Sequence, residues 1–404
     1  MNERMWGRSV AIAAAAMVSL SVTHAAANDS EVPGGAGLAG SASKVYQSGH
    51  GVSLGGYGET VYENYSGELE NGDPSGRVDR WDFLRSVLYV GYKFNDEFLL
   101  NTEIEVEHGS TGSGGEVSLE FGYIDWLLAP EANLRGGMVL VPMGIINETH
   151  EPTTFSGAKR PTVEQRIIPT TWRENGFGAY GDLGPVQYRT YVMTGLDAAN
   201  FSAGGIRSGR QKGAQAKAQS FAWTGRLEHA TTPGINVGVS AYVGRAGQDL
   251  LEPEAMEPDD RLEVSVEMLE AHGEWRHRGI QARLLGVVSW IGNTEDLNAA
   301  LQLESAAGVG ERQWGGYAEV GYDVLTETSI NASLIPFVRL ERLDTQDQVA
   351  SGFASNPAND QTIWTFGASA NPIPQITLKA DYQAISNKAD TGVDQFNVAL
   401  GYAF

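Results

Sequence analysis

The chain has 404 residues, 50 glycines, no cysteine and a formal net charge of −22, and its mean hydropathy is negative. Such acidity argues against a nucleic-acid partner, whose phosphates it would repel, and the lack of cysteine excludes a disulfide framework while fitting a chain exported through an oxidising compartment. With 42% hydrophobic residues it is too polar for a bundle of membrane helices but suits a barrel, in which only alternate residues meet lipid.

At the N-terminus, Arg4 and Arg8 precede an apolar run from Val10 to Val22, followed by Ala25-Ala26-Ala27. This is the pattern of a cleaved signal peptide covering residues 1–27, and the run is too short to span a membrane comfortably as a helix. Glu3, Arg4 and Arg8 give residues 1–27 a net +1, which leaves −23 for the rest. Residues 28–51, rich in Gly, Ser and Ala, are expected as a periplasmic N-terminal segment, and 52–404 as one barrel domain.

From there on, segments of period-2 alternation recur between turn residues. They cover 53–65, 82–94, 98–107, 116–127, 133–140, 176–182, 186–195, 220–230, 235–245, 262–275, 279–290, 313–324, 329–342, 361–370, 376–385 and 394–404. Every second connection is tight, among them Asn95-Asp96-Glu97, Leu183-Gly184-Pro185 and Asn371-Pro372-Ile373-Pro374, while the others are long, polar and Gly-rich. The expected fold is therefore all-β: a transmembrane antiparallel barrel of about 16 strands with short periplasmic turns and long external loops.

Side-chain phase agrees. Ile235, Val237, Val239, Ala241 and Val243 alternate with Asn236, Gly238, Ser240, Tyr242 and Gly244, which puts one apolar face toward lipid. Aromatics near strand ends, such as Phe94, Trp126, Trp290 and Trp364, fit interfacial girdles. On the opposite phase lie Arg135, Arg189, Arg226, Arg283, Arg339, Glu103, Glu105 and Glu120, expected as pore-wall residues facing water, because unpaired charges are costly in a dry core.

The longest connection, 141–175, carries Ile145, Ile146, Phe155, Ile167, Ile168 and Trp172. A loop this apolar needs a surface to pack on, and in a wide barrel that surface is the inner wall, so the loop is expected to fold inward as a constriction. Lys159, Arg160, Arg166 and Arg173 against Glu164 give it a local +3, while Glu148, Glu151 and Glu174 restore neutrality to the whole segment. Lys159, Arg160, Arg166, Arg173, Glu148 and Glu151 are the expected solute-contacting residues; the alternative is that the arginines pair with wall carboxylates and pin the loop. Arg207, Arg210 and Lys212 are expected on an external loop. The stretch Gly247 to Asp260, with six acids and no base, either bridges cations to lipopolysaccharide or stays solvated.

In the last strand Phe396, Val398, Leu400, Tyr402 and Phe404 alternate with Asn397, Ala399, Gly401 and Ala403. Ending on the aromatic face suits a closing barrel strand that pairs with the first. Tyr402 and Phe404 also look like the C-terminal signal read by the barrel assembly machinery.

Four stretches carry a family resemblance: Val90-Gly91-Tyr92-Lys93-Phe94-Asn95-Asp96, Glu103-Ile104-Glu105-Val106-Glu107-His108, and the loop runs Asn147 to Pro152 and Arg160 to Trp172. With them the chain, from about Val52 to Phe404, resembles the phosphate-selective porin O/P family of bacterial outer-membrane channels. The resemblance implies a sixteen-stranded, often trimeric channel for small hydrophilic solutes, its third external loop folded inward. Members with phosphate selectivity line the pore with an arginine ladder and a lysine cluster; here the arginines are scattered and the lysine cluster is missing, so phosphate selectivity does not carry over.

Enzyme signals are weak. His150-Glu151 is not followed by a second histidine at metal-binding spacing, and the seven histidines are scattered singly, so neither catalytic residues, cofactor nor metal are expected. A barrel enzyme and a surface adhesin or receptor are the remaining alternatives.

Overall fold

The computed structural model describes residues 37–112, 114–229, 232–253 and 260–404. The expected signal peptide, 1–27, lies outside the described residues, as do 254–259 of the acidic connection.

Sixteen strands form a closed antiparallel barrel in which each pairs with its neighbour in sequence and the first pairs with the last. They are β1 (Gly51–Tyr65), β2 (Arg80–Lys93), β3 (Phe98–Glu107), β4 (Glu116–Ala129), β5 (Ala132–Leu140), β6 (Arg173–Leu183), β7 (Val186–Thr194), β8 (Phe221–His229), β9 (Ile235–Arg245), β10 (Ser265–His277), β11 (Ile280–Ile291), β12 (Gly310–Tyr322), β13 (Ser333–Val349), β14 (Asp360–Ile373), β15 (Ile376–Asn387) and β16 (Gln395–Ala403). Among the described residues three short α-helices accompany them: α1 (Lys44–Gln47), α2 (Thr162–Arg166) and α3 (Thr294–Ala300). The alternation located every strand. It missed the far end of β13, which continues past 342 to Val349, because Thr345 and Gln346 there are polar yet buried.

Alternation also sets the two faces. In β9, Val237, Val239 and Val243 are exposed outward while Gly238, Ser240 and Tyr242 are buried inward. In β16, Phe396, Val398 and Leu400 face out while Asn397, Ala399 and Gly401 face in. The seam closes on register Tyr57↔Ala403 to Tyr65↔Gln395, with Gly56 and Phe404 exchanging backbone hydrogen bonds of 3.0 and 2.8 Å. Gly56 and Gly58 are what let the rings of Phe404 and Tyr402 lie flat across β1: a Cβ would stand 2.7 Å from the first ring and 2.5 Å from the second phenol oxygen.

The buried core lies on the inner face. Tyr57, Tyr89, Phe121, Tyr191 and Tyr242 of the strands cluster with Met143, Ile146, Phe155, Val163, Ile167, Ile168 and Trp172 of the long connection. The Trp172 ring stands 4.8 Å from that of Tyr242.

Candidate functional site

The inward arginines are each engaged by carboxylates, mostly on neighbouring strands, as cross-strand opposition allows. Arg135 grips Asp125 with Nε 2.8 Å from Oδ1 and Nη2 3.0 Å from Oδ2, and its guanidinium lies 4.0 Å from the Tyr123 ring centroid. Arg189 and Arg226 share Glu228 at 2.5 and 3.0 Å and reach Glu148 of the long connection at 3.1 and 3.7 Å. Arg283 meets Glu274 at 2.9 Å, and Arg339 bridges Glu319 and Glu341 at 3.1 and 3.0 Å. They do not stand in open water as expected: Arg135, Arg189, Arg226 and Arg339 are buried, because Tyr46 of the segment before β1 lies over Arg135 and the long connection lies against the other three, and carboxylates make that burial tolerable.

Residues 141–172 bond to strands all round the barrel. The Gly144 N–H donates to Glu270 of β10 at 3.4 Å, Ser156 Oγ to Glu319 of β12 at 2.7 Å, the Val163 N–H to Glu341 of β13 at 3.0 Å and the Ala158 N–H to Asp381 of β15 at 2.6 Å. Lys379 Nζ donates to the Gly157 carbonyl at 3.0 Å. Gly315 of β12 makes room for α2, since a Cβ there would stand 3.0 Å from Val163. Glu164 accepts the Ile146 N–H and the Tyr317 hydroxyl, both at 2.7 Å, and burial pushes its carboxyl up to about 7.

The segment before β1, expected in the periplasm, packs on the same inward face near the short-turn rim. The Ser41 N–H donates to Glu151 at 3.2 Å, Asn101 donates to the Ala42 carbonyl at 2.8 Å, and the Tyr46 hydroxyl donates to Asp125 at 2.6 Å while accepting from Arg135 at 2.8 Å. Gly91 admits Val45, whose Cβ a side chain there would meet at 2.5 Å.

Between the connection and the β1–β4 wall remains a cavity of about 290 Å³. The wall contributes Glu59, Glu63, Asp82, Glu107, Glu116 and Glu120; loops contribute Lys159, Arg160, Arg207, Arg210 and Lys212; Arg85 and Arg173 come from β2 and β6. Of these, Arg173 is 2.6 Å from Glu120 and Lys159 is 2.5 Å from Glu63. Arg160, Arg207 and Arg210 are held instead by neutral oxygens. Arg160 donates to Thr171 Oγ1 at 3.2 Å and the His150 carbonyl at 3.0 Å, Arg207 to the carbonyls of Gln165 at 2.7 Å and of Thr170, and Arg210 to those of Pro169 at 2.9 Å and Thr171 at 2.5 Å. Dipoles position these three cations without cancelling their charge.

Of the expected solute-contacting residues, Lys159, Arg160 and Arg173 line this cavity together. Glu148 and Glu151 do not: the first joins Arg189 and Arg226, the second caps the N-terminal segment, and burial raises both carboxyls above their usual range. Arg166, half-buried on α2, lies outside the lining as well. Arg207 and Arg210, expected outside, belong to the cavity because their loop leans onto 165–171. A signal for them existed: between Ala198 and Gln219 stand Arg207, Arg210, Lys212 and Lys217 and no acid.

No family model matches the chain. An uncharacterized protein of Aquifex aeolicus (strain VF5) is 35% identical over 380 residues, which is 91% of this chain and 84% of that protein. Among solved structures, an anion-selective porin from Comamonas acidovorans superposes with a TM-score of 0.54 at 12% identity, over 87% of this chain and 99% of that one. The trimer form of in-vitro folded OmpT, an outer membrane protein of Vibrio cholerae, gives 0.52 at 9% identity, over 88% and 100%. At these identities the likeness shows a shared fold, the closed porin-type barrel.

Proposed function

The chain belongs to one family with the Aquifex aeolicus protein, and we propose that it is an outer-membrane porin for passive diffusion of small hydrophilic solutes or ions, with the 141–175 connection folded inward as the constriction. The observation that carries this reading is the charged cavity between that connection and the β1–β4 wall. An outward apolar face and an inward charged one suit a barrel with lipid outside and a polar lumen. Solutes pass between wall carboxylates and loop cations, where water and fixed charges replace part of their hydration. The exported chain is threaded into the outer membrane, with Tyr402 and Phe404 as assembly signal and the short turns in the periplasm, facing lipopolysaccharide outside. A homotrimer fits the reading, since one structural neighbour is described in a trimer form.

Reconstituted into a planar bilayer, the protein should give stepwise conductance. Shortening the connection between Ser156 and Gln165 should enlarge the steps, because the narrowest section sets the resistance. Absence of steps from correctly folded barrel overturns the channel; steps of unchanged size in the shortened variant overturn the constriction.

A second reading, a substrate-specific channel for phosphate or carboxylate anions, is favoured by Arg160, Arg207 and Arg210, whose guanidinium charges are not cancelled by carboxylates. The reversal potential across a salt gradient separates the two, since a specific anion channel is strongly anion-selective.

A further inference from the structure

One cluster stands beside the solute path, sharing Glu120 with the lining of the cavity. His150 of the long connection, Glu103 of β3 and Glu120 of β4 are all buried, and each offers a donor atom within 4.8 Å of the others. His150 Nε2 stands 3.0 Å from Glu103 Oε1 and 3.9 Å from Glu120 Oε2. Glu120 Oε2 points at the imidazole yet has no hydrogen-bond partner, and Glu103 Oε2 has none either. Buried carboxylate oxygens left this way are costly, so the arrangement calls for a positive occupant.

We propose that His150, Glu103 and Glu120 bind a first-row divalent cation of the zinc type, which fastens the long connection to the β3–β4 wall. Three observations fit the donor set to the ion. His150 Nδ1 lies 2.9 Å from the Asn147 carbonyl. A proton on Nδ1 donated there leaves the Nε2 lone pair facing the carboxylates, as in metal-binding histidines whose other nitrogen is fixed by a backbone oxygen. Bonds of about 2.0 to 2.2 Å in a tetrahedral site put ligand atoms about 3.4 Å apart, and the spacings here, 3.0 and 3.9 Å, bracket that value. The carboxylates are oriented by neighbours: Arg173 Nη1 holds the other Glu120 oxygen, Oε1, at 2.6 Å, and the Tyr57 hydroxyl donates to Glu103 Oε1 at 3.2 Å.

Charge and access agree. Two carboxylates neutralise a divalent ion, Arg173 stays paired with the other Glu120 oxygen at 2.6 Å, and Glu105, buried on the same face of β3, lies 3.7 Å from Arg85 Nη1. Glu120 also lines the cavity of about 290 Å³, through which an ion arrives past Glu116 and Glu107. One nitrogen with two oxygens favours zinc, cobalt or nickel over magnesium or calcium, whose sites are built from oxygen.

The test uses the full barrel purified in detergent, stripped with a chelator and titrated with ZnCl2, with metal content and calorimetry as readouts. The expected result is one saturable Zn2+ per chain that resists a large excess of Mg2+, and a visible absorption band on loading with Co2+. His150→Ala, and separately the near-isosteric Glu120→Gln and Glu103→Gln, should weaken Zn2+ binding by at least about 10- to 100-fold, with heat-modifiable gel migration confirming that each variant is folded. Exposed histidines such as His50 and His108 could take zinc of their own, so binding that is unchanged in all folded variants overturns the proposal. So does a wild-type barrel that binds no zinc, in which case His150 serves only as a hydrogen-bonding partner of Glu103. Should His150→Ala fail to fold, either glutamine variant decides alone.

Discussion

Neutralising Arg207 and Arg210 together, as Arg207→Gln/Arg210→Gln, should shift ion selectivity toward cations. The size of the shift follows from the cavity. A sphere of its volume has a radius of about 4 Å, so an ion at its centre sits roughly 6 Å from guanidinium groups in the lining. At that distance each unit charge is worth about 0.7 kcal/mol in bulk water and about 3 kcal/mol at an effective dielectric of about 20. Removing two charges at the lower figure changes an anion's energy by about 1.4 kcal/mol and a cation's by as much in the opposite sense, so the anion-to-cation permeability ratio changes by about 2.8 kcal/mol, close to a hundredfold, with the higher figure as a ceiling. The assay is the reversal potential of single channels across a tenfold KCl gradient at neutral pH, compared with Lys388→Gln. Lys388 is largely exposed and pairs with Asp360 outside the cavity, and salt screens it within about 8 to 10 Å, so it should leave the potential unchanged. Gln keeps donors for the Gln165 and Pro169 carbonyls, which limits loop displacement. If the double variant conducts with the wild-type reversal potential, ions do not pass through this cavity, and the path must be sought elsewhere in the barrel.

Three further outcomes are expected. Phe404→Asp should lower the fraction of heat-modifiable barrel, because it strips the ring that covers Gly56 at the β1–β16 seam and sets a charge beside lipid; wild-type yields of folded barrel would speak against the seam's role. Val239→Arg, on an outward position 53% exposed, should destabilise insertion by about 2 to 4 kcal/mol near the bilayer midplane, whereas Ser240→Ala removes a buried hydroxyl with no hydrogen-bond partner and should leave folding intact; equal damage measured by gel migration would contradict the assigned phase. Burial holds Glu164 up to about 7 against an ordinary 4.5, so its protonated form favours the packed connection fully below about 4.5, and that contribution is lost as pH rises through about 7. Tryptic cleavage after Lys159 should therefore quicken between about pH 5 and 7 and level off above, and a rate that tracks only the intrinsic pH dependence of trypsin would refute the link.

What the sequence determined by itself is whatever depends on local geometry. A strand turns successive side chains to opposite faces, so Val239 against Ser240 and Leu400 against Ala399 declare their sides without reference to any partner. Tight turns between those strands then require antiparallel neighbours, and an even series ending on an aromatic strand implies closure. The charges were legible as inward-facing for the same reason. Their partners were not. Arg173 meets Glu120 across 53 positions, Gly144 meets Glu270 across 126, and Arg207 reaches the Gln165 carbonyl across 42, distances that only barrel closure and the docking of two loops bring to contact. That is why Arg135 and Arg226 turned out buried and paired rather than bathed in water, why Arg207 and Arg210 moved from outside to the cavity lining, and why His150 joins Glu103 and Glu120 although no spacing along the chain suggests it. Alternation is written residue by residue; which charge stabilises which is decided only when the closed sheet fixes the space that the connection must fill.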